Sequence, residues 1–190
     1  MPEQPDVDTD SLREAVHTPA ADSLLRNIAL TTAMLAALGA VAALRAGGTV
    51  NEALVLKTEA GRLQSEASDQ WAYYQAKGIK ASVQETSRAA WLAAGKTPPA
   101  NVEQSIQRYA AEQKDIDHAA REKERERDER SNAADQLLAR HHRFANSVAL
   151  IQVSIALGAV AALTRNRMIW MGSMTLGVVG AGVFIVTLVR

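Results

Sequence analysis

The residues of this chain that could do chemistry are few, and their spacing suits little of it. The densest polar group is Arg140-His141-His142-Arg143. Neighbours in sequence do not face one another on a helix, so the two His make a poor metal clamp. His118 and Glu122 do share a helical face, but two ligands without a third hold a metal weakly. There is no Cys, which excludes disulfide scaffolds, thiolate zinc sites and thiol catalysis. No Gly-rich phosphate loop, H-E-x-x-H run or Ser/His/Asp grouping is present. The residues therefore read as holding no catalytic site, no cofactor and no metal, and the expectation is a protein that is not an enzyme. An enzymatic alternative would have to use His118, Glu122 or the His141-His142 pair. The formal net charge is +0, which argues against nucleic acid as a partner, since that calls for a basic face.

Other residue sets are better suited to packing and contact. Ser154, Gly158 and Ala162 form one small-residue stripe, and Ser173, Gly177 and Ala181 form another. Small residues four apart let helix backbones approach closely in lipid, so these six are candidates for membrane-helix packing. Trp71, Tyr73, Tyr74 and Trp91 hold most of the aromatic content outside the apolar stretches and are a possible interaction surface. Arg140, His141, His142, Arg143 and Trp170 border apolar stretches and are read as membrane-interface anchors.

The elements that must position these residues are helices. Ala, Leu, Glu, Arg and Gln are abundant, against five Pro and eleven Gly. Residues 1–21 are acidic, contain Pro and lack apolar periodicity, and read as a disordered tail. Residues 27–44 carry no charge and are bracketed by Arg26 and Arg45. As a helix they would reach about 27 Å, enough to just cross a hydrocarbon core of about 30 Å. A buried soluble helix and a cleaved signal peptide are the alternatives, and the acidic segment in front disfavours the latter. Residues 144–163 and 168–189 are two more apolar stretches, separated by Thr164-Arg165-Asn166-Arg167, and so form a second and third span in a tight hairpin.

Between the first and second spans, residues 49–143 read as a long antiparallel helical hairpin resembling a coiled coil. Gly47-Gly48 is expected to break the first helix, and Thr49 with Glu52 has the form of a capping box. The turn is placed at 95–100, where Gly95 suits a helix C-cap and Pro98 disfavours helix at Thr97. Val102, Ile106, Tyr109, Gln113, Ile116 and Ala120 repeat at heptad spacing on the second arm. Ala72, Ala76, Ile79, Val83, Thr86 and Ala90 do so on the first, and the two stripes are expected to face each other. Such a seam is thin and rich in Ala, so further copies of the chain are expected to complete the core. The run of ten charged residues from Arg121 to Arg130 is read as a solvated helix that interrupts the seam, supported by pairs Glu122–Arg125, Glu124–Arg127 and Glu126–Arg130. The fold class is thus an all-α membrane protein with three transmembrane helices.

Three segments carry a resemblance to a known family: NEALVLKTEA at 51–60, SDQWAYYQAKGIK at 68–80, and RHHRFANSVALIQVSIALGAVAALTRNRMIW at 140–170. They resemble a family of uncharacterised bacterial membrane proteins, known as a domain of unknown function. With the spacing between them they cover most of the chain after residue 25. The resemblance implies a multi-pass protein of the bacterial inner membrane with a helical middle region, and it implies no activity. The charged run is where this chain is expected to depart from the family.

Topology rests on arginine placement. Arg165 and Arg167 in the short loop favour one orientation, while Arg45, Lys57, Arg130, Arg140 and Arg143 favour a cytoplasmic middle region, the side to which the reading tilts. The expected partners are the lipid bilayer, further copies of the chain and a protein of unknown identity. The expected function is a membrane-anchored helical-hairpin scaffold or interaction module. The alternative from another class is a small oligomeric channel or transport component, with Gln152 and Ser/Thr positions lining a path. Among amides only Gln152 and Asn146 lie well inside a span and no charge does, which weakens that alternative.

Overall fold

The computed structural model describes the backbone of residues 19–189 and the side chains of residues 23–189. Three helices make up these residues: α1 (Pro19–Ala93), α2 (Ala100–Thr164) and α3 (Arg167–Val189). The proposed tail falls mainly on residues outside this range, and α1 is already helical at Pro19. No strand occurs among the described residues, so the all-helical class holds. Each helix contains a stretch long and apolar enough to cross a membrane.

The first break expected from the sequence is not there. α1 runs through Gly47 and Gly48. Two Gly cost helix propensity, but each removes only a few tenths to about 1 kcal/mol, which flanking helical segments offset. Thr49 does not cap a new helix. Its hydroxyl turns back to the Ala46 carbonyl at 2.8 Å, a bond made within a continuing helix.

The two helix ends that do occur share one solution. At the end of α1, Lys96 N donates to the Trp91 carbonyl and Gly95 N to the Leu92 carbonyl, both at 3.0 Å. Gly95 sits at φ 68°, the left-handed conformation this C-cap requires. At the end of α2, Asn166 N bonds the Ala161 carbonyl at 3.2 Å, with Arg165 at φ 50° in the place that Gly usually takes. The Asn166 side chain then caps α3 by accepting from Met168 N at 2.8 Å.

The chain divides into two units. One comprises residues 1–50 and 138–190, the other residues 51–137.

The first unit packs three helices around a narrow interior. Ile28, Gly39, Ala42 and Ala46 of α1 are buried, as are Phe144, Ser147, Ile151, Ser154, Gly158 and Ala161 of α2. Ser173, Gly177, Gly180, Phe184 and Thr187 are the buried residues of α3. The α2 and α3 sets advance by alternating steps of three and four residues, as do Gly39, Ala42 and Ala46 of α1, the repeat of helices crossing at a shallow angle. Ala42, Ala46, Phe144 and Phe184 form the apolar centre at one end, with the two Phe rings 5.7 Å apart.

The second unit is an antiparallel pair of helical arms, 51–93 of α1 and 100–137 of α2. Lys57 meets Asp135, Lys77 meets Glu112 and Arg88 meets Glu103, so partner numbers fall along α2 as they rise along α1. The seam of the second arm lies where the spacing placed it: Val102, Ile116 and Ala120 are buried, and Ile106, Tyr109 and Gln113 half-buried. The first-arm stripe does not. Ala72, Ala76, Ile79, Val83, Thr86 and Ala90 are all exposed. The inward stripe is Ala53, Leu56, Ala60, Leu63 and Ala67, continued at the same spacing by Gln70, Tyr74, Lys77 and Ala81. Once Ala53 to Ala67 fix the register, residue 72 falls two positions past Gln70 and two before Tyr74. On a helix that turns it away from the partner arm.

Candidate functional site

Within the first unit, the small residues bring backbones together and the hydroxyls hold them. The Ser154 hydroxyl donates to the Ser173 carbonyl at 2.6 Å, and the Ser173 hydroxyl donates to the Ser154 carbonyl at 2.7 Å. Ser147 donates to the Gly180 carbonyl at 2.9 Å. A Cβ on Gly158 would lie 2.7 Å from Thr32 Oγ1, and one on Gly177 would lie 2.8 Å from both Leu35 Cδ2 and Ser154 Oγ. Of the six packing candidates, Ser154, Gly158, Ser173 and Gly177 are buried, while Ala162 and Ala181 are half-buried. Ala161 and Gly180 occupy the interior in their place, because the repeat alternates three and four rather than stepping by four. Interiors this tight serve packing.

The residues read from the sequence as interface anchors differ in their contacts. His141 Nδ1 donates to the Ala46 carbonyl at 2.9 Å, since a carbonyl can only accept. That ties the α2 end of the basic group to α1. Arg140 donates to the Leu188 carbonyl of α3 at 3.4 Å and lies over the Phe144 ring at 5.8 Å. His142 and Arg143 are exposed. At the opposite end, Trp170 Nε1 donates to Thr31 Oγ1 at 3.2 Å, joining α3 to α1. No group of three or more His, Asp or Glu able to hold a metal occurs among the described residues.

In the second unit the aromatic candidates separate. Trp71 and Tyr74 are half-buried and meet edge to face at 5.6 Å. Trp71 Nε1 donates to Glu124 Oε1 of the other arm at 2.9 Å. Tyr73 and Trp91 are exposed, 51% and 38%, each with a Lys over its ring: Lys77 at 4.9 Å and Lys96 at 6.0 Å.

Charge, rather than apolar area, closes much of the seam. Lys77 Nζ lies 2.5 Å from Glu112 Oε2, and its side chain is only 13% exposed. It also sits 4.9 Å from the Tyr73 ring and 5.6 Å from the Tyr109 ring. The hydrogen bond from Lys77 holds the Glu112 carboxyl below its usual range. The same bond, with a second that Lys77 donates to Tyr73, raises Lys77.

The run 121–130 is not simply a solvated helix. Lys123 and Arg130 reach Glu66 and Glu59 of the other arm at 3.6 and 3.5 Å, and Arg127 bonds Gln64. Of the three pairs expected along the helix, Glu122–Arg125 forms. Glu124 instead accepts from Trp71, and Glu126 pairs with Lys123. The cross-arm partners could not be read without the register.

One stripe legible in the sequence faces the other way. The exposed stripe of Ala72, Ala76, Ile79, Val83, Thr86 and Ala90 is a heptad seam with nothing on it. Ile79 is 67% exposed and Val83 60%. The spacing was visible. The register that turns it outward was not.

Comparison with known proteins brings in one family. Residues 24–190 match the model of a domain of unknown function, DUF4337, and the chain belongs to that family. Neither curated proteins nor solved structures match the chain.

Proposed function

We propose that this DUF4337 member is a membrane-anchored, non-enzymatic scaffold that self-associates through the outer seam of its helical hairpin. The apolar stretches of α1, α2 and α3 cross a bilayer, which the proposal takes to be the inner membrane of a bacterium. The observation that carries the reading is the uncovered seam from Ala72 to Ala90. Six positions at heptad spacing are apolar or weakly polar, and none is charged. Leaving such a stripe in water forfeits the burial that a partner helix would supply.

A second copy fits the stripe best. Copies anchored in one membrane carry their hairpins on the same side and share an orientation. Parallel arms then set Val83 against Val83 and Ile79 against Ile79, and the Ala positions let the helices approach closely. Confinement to the membrane raises the effective concentration of one seam for the other.

The chain has no Cys, so single substitutions report cleanly. Val83→Cys in the membrane-embedded full chain should yield a disulfide-linked dimer under mild oxidation, and Lys114→Cys on the other arm should not. A cross-linked product with a different protein would replace the second copy as occupant. Equal cross-linking at both positions would overturn the reading. Cys placed at Lys96 and Asn166 tests the crossings. With three spans, a membrane-impermeant thiol reagent added to intact cells should label one of the two and not the other.

A further inference from the structure

The two units treat charge in opposite ways. In residues 51–137, every Lys and Arg except Lys80, Lys96 and Lys114 has a carboxylate within 4.0 Å. In residues 23–50 and 138–189 there is no Asp or Glu at all. Arg26, Arg45, Arg140, Arg143, Arg165 and Arg167 fall there, and none has an ion-pair partner among the described residues.

Arg140 differs from the other five. They are exposed, whereas Arg140 is half-buried and fixed. Its Nη2 reaches the Leu188 carbonyl, its guanidinium covers Phe144, and its Nε is buried without a hydrogen-bond partner among the described residues. A guanidinium carries five donors in a planar fork suited to phosphate. Here the fork is held in place and its charge is uncompensated. Arg143 follows one helical turn later. Arg45 lies at the same level on α1, next to the Ala46 carbonyl that His141 bonds.

We propose that Arg140, with Arg143 and Arg45, seats the headgroup phosphate of an anionic phospholipid where α1, α2 and α3 meet the membrane surface. The proposal rests on the membrane insertion argued above. The missing counter-charge is supplied by the bilayer, at the depth where such headgroups lie.

The test uses the full chain purified in mild detergent and titrated, in native mass spectrometry, with phosphatidylglycerol or phosphatidylcholine. Phosphatidylglycerol should bind more tightly. Arg140→Ala with Arg143→Ala should weaken it by about tenfold or more, while Arg165→Ala with Arg167→Ala should retain it. Arg140→Lys should recover part of the loss, separating charge from packing. Excess inorganic phosphate should not displace the lipid. Equal binding of the two lipids, or equal loss in both double variants, would overturn the site in favour of diffuse attraction. Alkaline carbonate extraction of the membranes keeps the two readings apart: release of the unaltered chain would sink the membrane reading itself, whereas its retention with no lipid preference sinks only the headgroup site.

Discussion

Ser154 and Ser173 each give their hydroxyl hydrogen to the other's backbone carbonyl, at 2.6 and 2.7 Å. The two side chains are buried, and their oxygens are 3.4 Å apart. The exchange joins α2 to α3 across a sequence separation of 19 residues. In lipid, where water cannot substitute, such bonds contribute about 0.6 kcal/mol each on average and up to about 1.7. Ser154→Ala and Ser173→Ala should therefore each destabilise the first unit modestly, by about 0.5 to 1.5 kcal/mol. A double-mutant cycle on unfolding in detergent should show coupling between them. Strict additivity would mean that the two bonds form independently.

Glycines in the same helix should behave differently from one another. A Cβ at Gly177 would sit 2.8 Å from Leu35 Cδ2 and from Ser154 Oγ, so Gly177→Ala must displace the Leu35 side chain and the Ser154 hydroxyl that bonds Ser173. Overpacking of this kind costs about 1–3 kcal/mol. Gly172 and Gly182 have nothing within 4 Å of a built Cβ, and alanine there should be neutral or slightly stabilising. Gly47→Ala and Gly48→Ala extend the test to α1. Both positions are open and helical, and each should gain about 0.5–1 kcal/mol if the helix is continuous there. A loss of stability at either would restore the break that the Gly pair suggested.

The Lys77–Glu112 pair sets a dependence on pH. Glu112 has its native pKa below the ordinary 4.5, so its contribution is whole above about that pH and fades as pH falls through the lower native value. Lys77 has its native pKa above 10.5, so its contribution is whole below that pH and is lost as pH rises through the higher native value. Thermal unfolding followed by circular dichroism should show a smaller acid-side fall in Glu112→Gln than in the unaltered chain. Superimposable acid limbs would show that the pair does not stabilise the hairpin.

How much of this was legible in the sequence depends on which interaction decides each feature. The apolar stretches stand out because charge is absent from them, and the turn at Gly95 stands out because only a residue tolerant of φ 68° suits that cap. The second-arm seam was visible because Val102, Ile116 and Ala120 are both periodic and buried. The first-arm seam was not, because two stripes of equal spacing share that helix and the more apolar one faces outward. Gln70, Tyr74, Lys77 and Gln84 are inward because register, set by Ala53 to Ala67, outweighs local polarity. The Gly47-Gly48 reading failed because a local propensity of about 1 kcal/mol per residue does not end a helix supported on both sides. Cross-arm ion pairs such as Arg130–Glu59 depend on the same register and could not be derived without it.

That outward stripe supports the last prediction. Ile79 and Val83 are 67% and 60% exposed, so an acidic substitution at either should not disturb the hairpin itself. Ile79→Asp with Val83→Asp should leave helicity and membrane insertion unchanged. In a self-associated scaffold, however, each pair of copies would bring four carboxylates together across a narrow seam, with Lys80 of each copy the one cation beside them among the described residues. The expected result is loss of the dimer in cross-linking and in light scattering of the purified chain, with the monomer's far-ultraviolet circular dichroism intact. Dimers that persist would place the contact elsewhere, with the membrane helices the next surface to test. A fall in helicity together with dimer loss would mean that the hairpin needs its partner to fold, which Ile79→Ala with Val83→Ala would check by removing burial without adding charge.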